Sequence, residues 1–472
     1  MLIFRKILFY VFVLIYVIAC PIIILYAYGY ILKPQINEPV VVTGDISLAS
    51  LPTGASIYLN STQTGMTTPV LIDKLRPGKY SVEISMDGWL PWAADFPVKA
   101  GKVTVLEDIL LVPREPDISA LTSKPLMNLR PVSGKVFIVA ESPALSDYFV
   151  FDTKVGEGIP VVSGDSEYAG CEVRDIHTVE GSASVVFEVM SGGVKKFIWA
   201  GYDGTEVKVK DITDVVPGDM RWLTWDPNAD NVIFSFGNGR ISYIDVTWGG
   251  VYPDFVTGAR GLGVNNRQVY VVSDDCAVYS VNYDGKVSGY MLDDEELGKS
   301  VFGETESFRI MAYANNIFVF LGDDGRLITN HLPYLFADKV AGDIKFSGDK
   351  GTLMFRTKTS IGTVDFLDED ISGVFEKGPK LVWVKKDGSD IKDIFWADKG
   401  SHALCLDKGV VSLIDVQYDG VQIVNTLTAV KDNTGVAYDD DPGILYYLDA
   451  RTGTLMSLKV IPDQNPAKRS NR

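Results

Sequence analysis

Phe197-Ile198-Trp199-Ala200-Gly201-Tyr202-Asp203-Gly204 returns as Val278-Tyr279-Ser280-Val281-Asn282-Tyr283-Asp284-Gly285 and again as Ser412-Leu413-Ile414-Asp415-Val416-Gln417-Tyr418-Asp419-Gly420. A fourth copy, Leu381-Val382-Trp383-Val384-Lys385-Lys386-Asp387-Gly388, has Lys386 in the tyrosine position. Each is a short apolar strand ending in Asp-Gly. Between alternating strands that dipeptide is a strong hairpin signal, because a type I′ turn needs positive φ at both central residues. Ile241-Ser242-Tyr243-Ile244-Asp245 and Leu445-Tyr446-Tyr447-Leu448-Asp449 are variants that run on to Gly250 and Gly453. The turn glycines 204, 250, 285, 388, 420 and 453 are spaced by 46, 35, 103, 32 and 33 residues, and the long gap holds Gly325 and Gly373.

A second theme alternates with the first. Trp225-Asp226-Pro227-Asn228-Ala229-Asp230 leads into an apolar strand, as do Phe346-Ser347-Gly348-Asp349-Lys350-Gly351 and Trp396-Ala397-Asp398-Lys399-Gly400. Repeats of this length with several strands each predict a β-propeller over 114–463, with seven blades expected and six to eight admitted by the spacing. The Phe346–Gly351 and Trp225–Pro227 turns resemble those of TolB-like and WD-like propellers. Two tandem β-sandwiches are the rival arrangement. The whole chain is therefore expected to be all-β apart from one helix at its start.

Upstream, Asp45–Leu48, Ser56–Leu59 and Tyr80–Ile84 alternate with period 2, which marks half-buried antiparallel strands. Pro52-Thr53-Gly54-Ala55 and Arg76-Pro77-Gly78-Lys79 sit between them, and Pro followed by Gly is the type II turn pattern. The stretch 44–113 resembles a PEGA domain. Pro52, Gly54 and Ala55 match the turn that names the family, with Thr53 in place of Glu. Pro69, the loop Leu75–Tyr80 with Pro77 and Gly78, and Asp87-Gly88-Trp89 match its later marks. The resemblance implies a small β-sandwich of bacterial envelope proteins with no established catalysis. Here its expected role is that of a spacer.

From Ile7 to Leu32 no side chain is charged, and Arg5 and Lys6 precede the run. As a helix these residues would be about 39 Å long, enough to cross a hydrocarbon core of roughly 30 Å. The cations place the N-terminus, 1–6, in the cytoplasm and the rest of the chain outside. Val17-Ile18-Ala19-Cys20 loosely resembles a lipobox, yet Pro21–Tyr26 continues the apolar run past the cysteine, so an uncleaved anchor over 7–32 is expected. Residues 33–43 then serve as a connector and 464–472 as a basic tail.

The chain has 472 residues and a net charge of −17, with Lys+Arg 44 against Asp+Glu 61. The propeller region carries nearly all of the excess, with 33 basic and 53 acidic residues. Such a surface repels nucleic acid, which needs cations to displace its counterions. Three histidines, His177, His331 and His402, are too few and too scattered for a His-based metal site. Cys171, Cys276 and Cys405 lie far apart and are read as buried thiols rather than a disulfide framework. No G-x-S-x-G elbow, Walker loop or dinucleotide fingerprint occurs. Asp293–Glu296 and Asp439–Asp441 lack EF-hand spacing and are read as solvated charge runs. No catalytic, metal or cofactor residue is assigned. The expected function is non-enzymatic binding of an envelope protein or glycan, with the lipid bilayer as a second partner through 7–32. A polysaccharide lyase or glycosidase is the alternative.

Overall fold

The computed structural model describes residues 2–27, 30–31, 41–179, 181–229, 231–313, 316–332, 334–347, 351–366, 379–417 and 423–462. Contacts divide the chain into 1–116 with 460–472, and 117–459. Of the segments expected from sequence, most of the connector, the basic tail, Asp419, Gly420, Gly373 and the tip of the Phe346–Gly351 turn lie outside the described residues.

One helix, Leu2–Ala27, opens the chain, with Pro21 inside it. Its apolar side chains are exposed, and Ile7–Ile24 has a mean hydropathy of 2.9, long and apolar enough to cross a membrane. The helix is shorter at its C-terminal end than the uncharged run suggests. Tyr30–Ile31 is instead a strand paired with Val41–Val42. Gly29 lies between the two, and glycine is a poor helix former.

Residues 44–110 form two sheets. One orders Thr62–Thr67, Ser56–Leu59, Gly78–Ser85 and Trp92–Val98. The other orders Val70–Leu75, Gly44–Leu51 and Val103–Leu110, the last two strands parallel. Alternation along Gly44–Leu51 puts Ile46 and Leu48 into the core with Ile57, Val82 and Ile84.

The described residues of 117–459 form eight four-stranded antiparallel units, here called blades 1 to 8. They span 128–160, 172–211, 222–257, 259–292, 308–337, 340–385, 391–429 and 437–459, the last completed by Ile118–Pro125. Within blades 1 to 7 the strands follow chain order from inner to outer, and in blade 8 the outer strand comes from the start of the domain. The count is one above the expected seven. In blade 1 the corresponding turn has Asp152 and Gly156 apart, so no Asp-Gly pair announces it.

Neighbouring blades are held by apolar clusters. Ile138 and Val150 of blade 1 pack on Phe187 and Ile198 of blade 2. Similar clusters join blades 2 and 3, 3 and 4, 4 and 5, 5 and 6, and 6 and 7. Blades 7 and 8 meet through Lys431 N to Leu448 O, 2.9 Å, and the Val430–Asp449 bridge. The ring closes where Phe137 and Phe151 of blade 1 meet Tyr446 and Leu455 of blade 8. The strand Ile118–Pro125 enters as the outer strand of that last blade, with Ile118 opposite Leu458 and Ala120 opposite Met456. This closed ring excludes the tandem-sandwich arrangement.

One joint differs. The inner strands of blades 4 and 5 are hydrogen-bonded in parallel, Gly261 opposite Phe308 and Leu262 opposite Arg309, so the two blades form one eight-stranded sheet. A Cβ on Gly263 would lie 2.1 Å from Ile310 O, and one on Gly261 3.1 Å from Phe308 O. Only glycine permits backbones this close.

Candidate functional site

The PEGA-type residues assemble into a structural latch. Gly54 takes φ +89° and its N–H donates to Thr68 O at 2.7 Å, while Thr68 N–H returns a bond to Ala55 O at 3.0 Å. Pro52 and Pro69 both follow cis peptide bonds, and the buried Ser50 and Thr68 hydroxyls bond at 2.6 Å. The sequence marks at 52–55 and 68–69 thus meet. Gly88 takes φ +80° in the turn closed by Trp89 N–H to Met86 O. The turn expected at Pro77–Gly78 is not type II, because Gly78 already begins a strand and the left-handed residue is Lys74, at φ +59°.

The Asp-Gly turns are also corrected. At Asp203–Gly204 and Asp284–Gly285 only the glycine is left-handed, at +97° and +82°. The aspartates act as side-chain acceptors instead. Asp203 Oδ1 takes the N–H groups of Thr205 and Glu206, and Asp284 Oδ1 that of Lys286. Asp residues accept such local bonds readily, which frees the turn from the type I′ requirement. Asp387–Gly388 is no hairpin at all. It lies between blades 6 and 7, where Gly388 N–H donates to Thr359 O.

The acidic runs are likewise structural. Asp294 caps the helix Glu295–Phe302 through Leu297 N–H at 3.0 Å. Asp440 accepts from Asp398 N–H, and Asp441 pairs with Lys135. No group of three potential ligands for a metal occurs among the described residues. His402 is buried with Nδ1 2.9 Å from Ser401 Oγ. Cys171, Cys276 and Cys405 are buried and free, and burial pushes the Cys405 thiol up to about 12. A thiol so protonated is a poor nucleophile.

A hollow of about 440 Å³ opens at blade 5, lined by Glu304, Thr305, Glu306, Asp323, Asp324 and Arg326. Two segments build it, the lead-in to the inner strand Phe308–Ala312 and the turn after the second strand Phe318–Gly322. Its walls are fastened from within. Thr305 donates to Asp324 at 2.7 Å and Ser307 to Asp323 at 3.0 Å. Arg326 spends its donors on Phe302 O, Val301 O and Thr305 Oγ1. Arg260 holds the same segment through the carbonyls of Gly303 and Thr305, and also donates to Cys276 Sγ at 2.9 Å. Four carboxylates therefore surround one guanidinium that is already engaged with carbonyl oxygens.

The hollow adjoins the central channel. Arg221, just before the inner strand of blade 3, reaches Glu306 beside blade 5 at 3.4 Å. Arg309 of blade 5 lies 5.7 Å from the Trp222 ring of blade 3. Contacts that skip blade 4 mark the channel side of these strands. On the inner strand of blade 2, His177 is held below its ordinary value, chiefly by burial, with Lys195 and Arg309 adding to the effect. Among the described residues one carboxyl is held above the usual range. It is Asp439 on the inner strand of blade 8, raised by burial and bonded to Thr153.

Neither the hollow nor the channel charges were assigned from sequence. Asp323-Asp324-Gly325 carried a signal, but one that reads equally as a turn.

Residues 43–110 match the PEGA domain family. No curated protein matches the chain in sequence. Among solved structures, the chain is similar in fold to PorZ, a surface component of the type-IX secretion system of Porphyromonas gingivalis. The identity is 13%, the TM-score 0.37, and the match covers 70% of this chain and 42% of that one. Kluyveromyces lactis Hsv2 is 11% identical with TM-score 0.40, covering 65% of this chain and 98% of Hsv2. The β-propeller domain of Swd1 from Myceliophteria thermophila is 10% identical with TM-score 0.36, covering 73% of this chain and all of that domain, 100%. The chain joins a PEGA domain to a β-propeller-like fold, the latter carried by its own four-stranded units and ring closure.

Proposed function

We propose that this is a single-pass membrane-anchored binding protein. Its N-terminus is cytoplasmic, its PEGA domain is a spacer, and its extracytoplasmic propeller binds an envelope protein through a basic segment of that partner. The observation that carries this reading is the hollow at blade 5, where Glu304, Glu306, Asp323 and Asp324 face Arg326 with its donors already committed. A lysine or arginine side chain entering there meets Glu304, Asp323 and Asp324, which make no ion pair among the described residues, beside the Arg221-paired Glu306, and such complementarity raises association rate and selectivity. A lyase or glycosidase would draw on a pair of carboxyls with divergent acidities. The raised Asp439 is instead tied to Thr153 in blade contacts, which favours binding over catalysis.

The test uses the full chain in detergent micelles and a fluorescent peptide of alternating lysine and serine, read by anisotropy. Binding should weaken as salt rises, and Glu304→Gln with Glu306→Gln should weaken it at least tenfold. Binding unaffected by that pair, or retention of a neutral oligosaccharide in preference to the peptide, overturns the assignment.

A further inference from the structure

The innermost strands lack the acidic excess of the domain. Region 114–463 has 33 basic and 53 acidic residues. Its eight inner strands carry Arg130, Arg174, Arg260, Arg309, Lys345 and Lys392 against five acidic residues. Arg260 is diverted to loop carbonyls, and Asp439 is buried. Arg130, Arg174, Arg309 and Lys392 remain exposed.

Their placement follows from the ring. In eight units, blade 5 lies opposite blade 1 and blade 6 opposite blade 2. Arg130 of blade 1 is thus set against Arg309 of blade 5, and Arg174 of blade 2 against Lys345 of blade 6. Arg309 is drawn towards the axis, since it reaches the Trp222 ring of blade 3 and acts on His177 of blade 2. Arg174 pairs with Glu172 at 2.9 Å and Lys392 with Asp390 at 2.9 Å. Arg130 and Arg309 make no ion pair with a carboxylate among the described residues. Unpaired like charges on inner strands of one ring repel unless an anion lies between them, and guanidinium forks match carboxylate and phosphate oxygens in pairs.

We propose that the central channel is a binding site for an oxyanion, a carboxylate or phosphate group, held between Arg130 and Arg309, with Arg174 and Lys345 as flanking cations. This site is separate from the acidic hollow, and its failure would leave the hollow's role intact.

The experiment is titration calorimetry on the full chain in neutral detergent, with inorganic pyrophosphate and with trigalacturonate as probes. At least one should bind with an affinity that falls as salt rises. A response to pyrophosphate alone identifies a phosphate ligand, and a response to trigalacturonate alone a uronic-acid glycan. Arg309→Gln and Arg130→Gln should each weaken binding about tenfold, the loss expected for a charged hydrogen-bonding group. Arg309→Lys should retain part of the affinity, and Lys208→Gln, on an outer strand, should change nothing. Melting curves without ligand should show one cooperative transition for all four variants, with Arg130→Gln and Arg309→Gln no less stable than the parent. Absence of binding by both probes, or equal affinity in the Arg130→Gln/Arg309→Gln double variant, overturns the proposal.

Discussion

The joint between blades 4 and 5 and the joint between blades 1 and 2 solve one problem in two ways. The first fastens inner strands backbone to backbone, with Gly261 and Gly263 removing the side chains that would keep them apart. The second leaves the backbones separate and fills the gap with Ile138, Val150, Phe187 and Ile198. A side-chain joint can repack around a lost methyl group, whereas a backbone joint has no slack for an added one. The hollow and Arg309 both sit beside the backbone joint, so the acidic site and one end of the proposed anion site border the backbone-fastened part of the ring.

The largest effect should come from undoing both kinds of fastening at once. Truncation before Tyr446 removes Thr454–Lys459 and most of Ile444–Leu448, leaving Ile118–Pro125 without its partner and blade 1 without its cover. The truncated chain should lose its cooperative thermal transition and aggregate. A transition matching the parent would show that the ring does not depend on closure. Next, Gly263→Ala adds one carbon at the backbone joint, and Ile198→Val removes one at the side-chain joint. By urea unfolding the first should cost about 2–3 kcal/mol and the second about 1 kcal/mol. Equal costs would erase the distinction between the joints.

The smallest effect concerns Asp439 in the inner strand of blade 8. Burial raises its carboxyl above the usual carboxylate range. The protonated form therefore favours the folded state, and that contribution is complete below the unfolded value and lost as pH rises through the folded one. Asp439→Asn should melt slightly higher than the parent at pH 7, with the difference vanishing near pH 3. A lower melting point at pH 7 would mean that the bond from Thr153 outweighs the burial cost.

Strand identity was legible in the sequence because it rests on local alternation. The stretch Val278–Asn282 and its relatives are strands in the structure as their pattern demands. Turn chemistry was legible only in part. Asp203 and Asp284 were found by their Gly neighbours, but their carboxylates replace the backbone geometry that the dipeptide suggests. Gly388 misled because an interblade link that also demands glycine uses the same pair of residues, with Ile391 Cδ1 2.7 Å from where a Cβ would stand. The PEGA latch was legible because its marks lie within a few tens of residues. The hollow was not. Arg221 and Glu306 are 85 residues apart, and nothing local to either records that the ring brings them together.

The strand Ile118–Pro125 is made first and paired last. Its partner around Leu458 is 340 positions downstream. At about 5–20 residues per second of synthesis, roughly 20–70 s separate the two. During that interval an edge strand bearing Ile118 and Leu121, both partly exposed even in the finished ring, has no neighbour to hydrogen-bond. Blades 1 to 7 can collapse in order as they emerge, but the finished domain waits on its final residues. Ring closure is thus a proofreading step in time, since any chain that stops short leaves a sticky edge at its start rather than at its break.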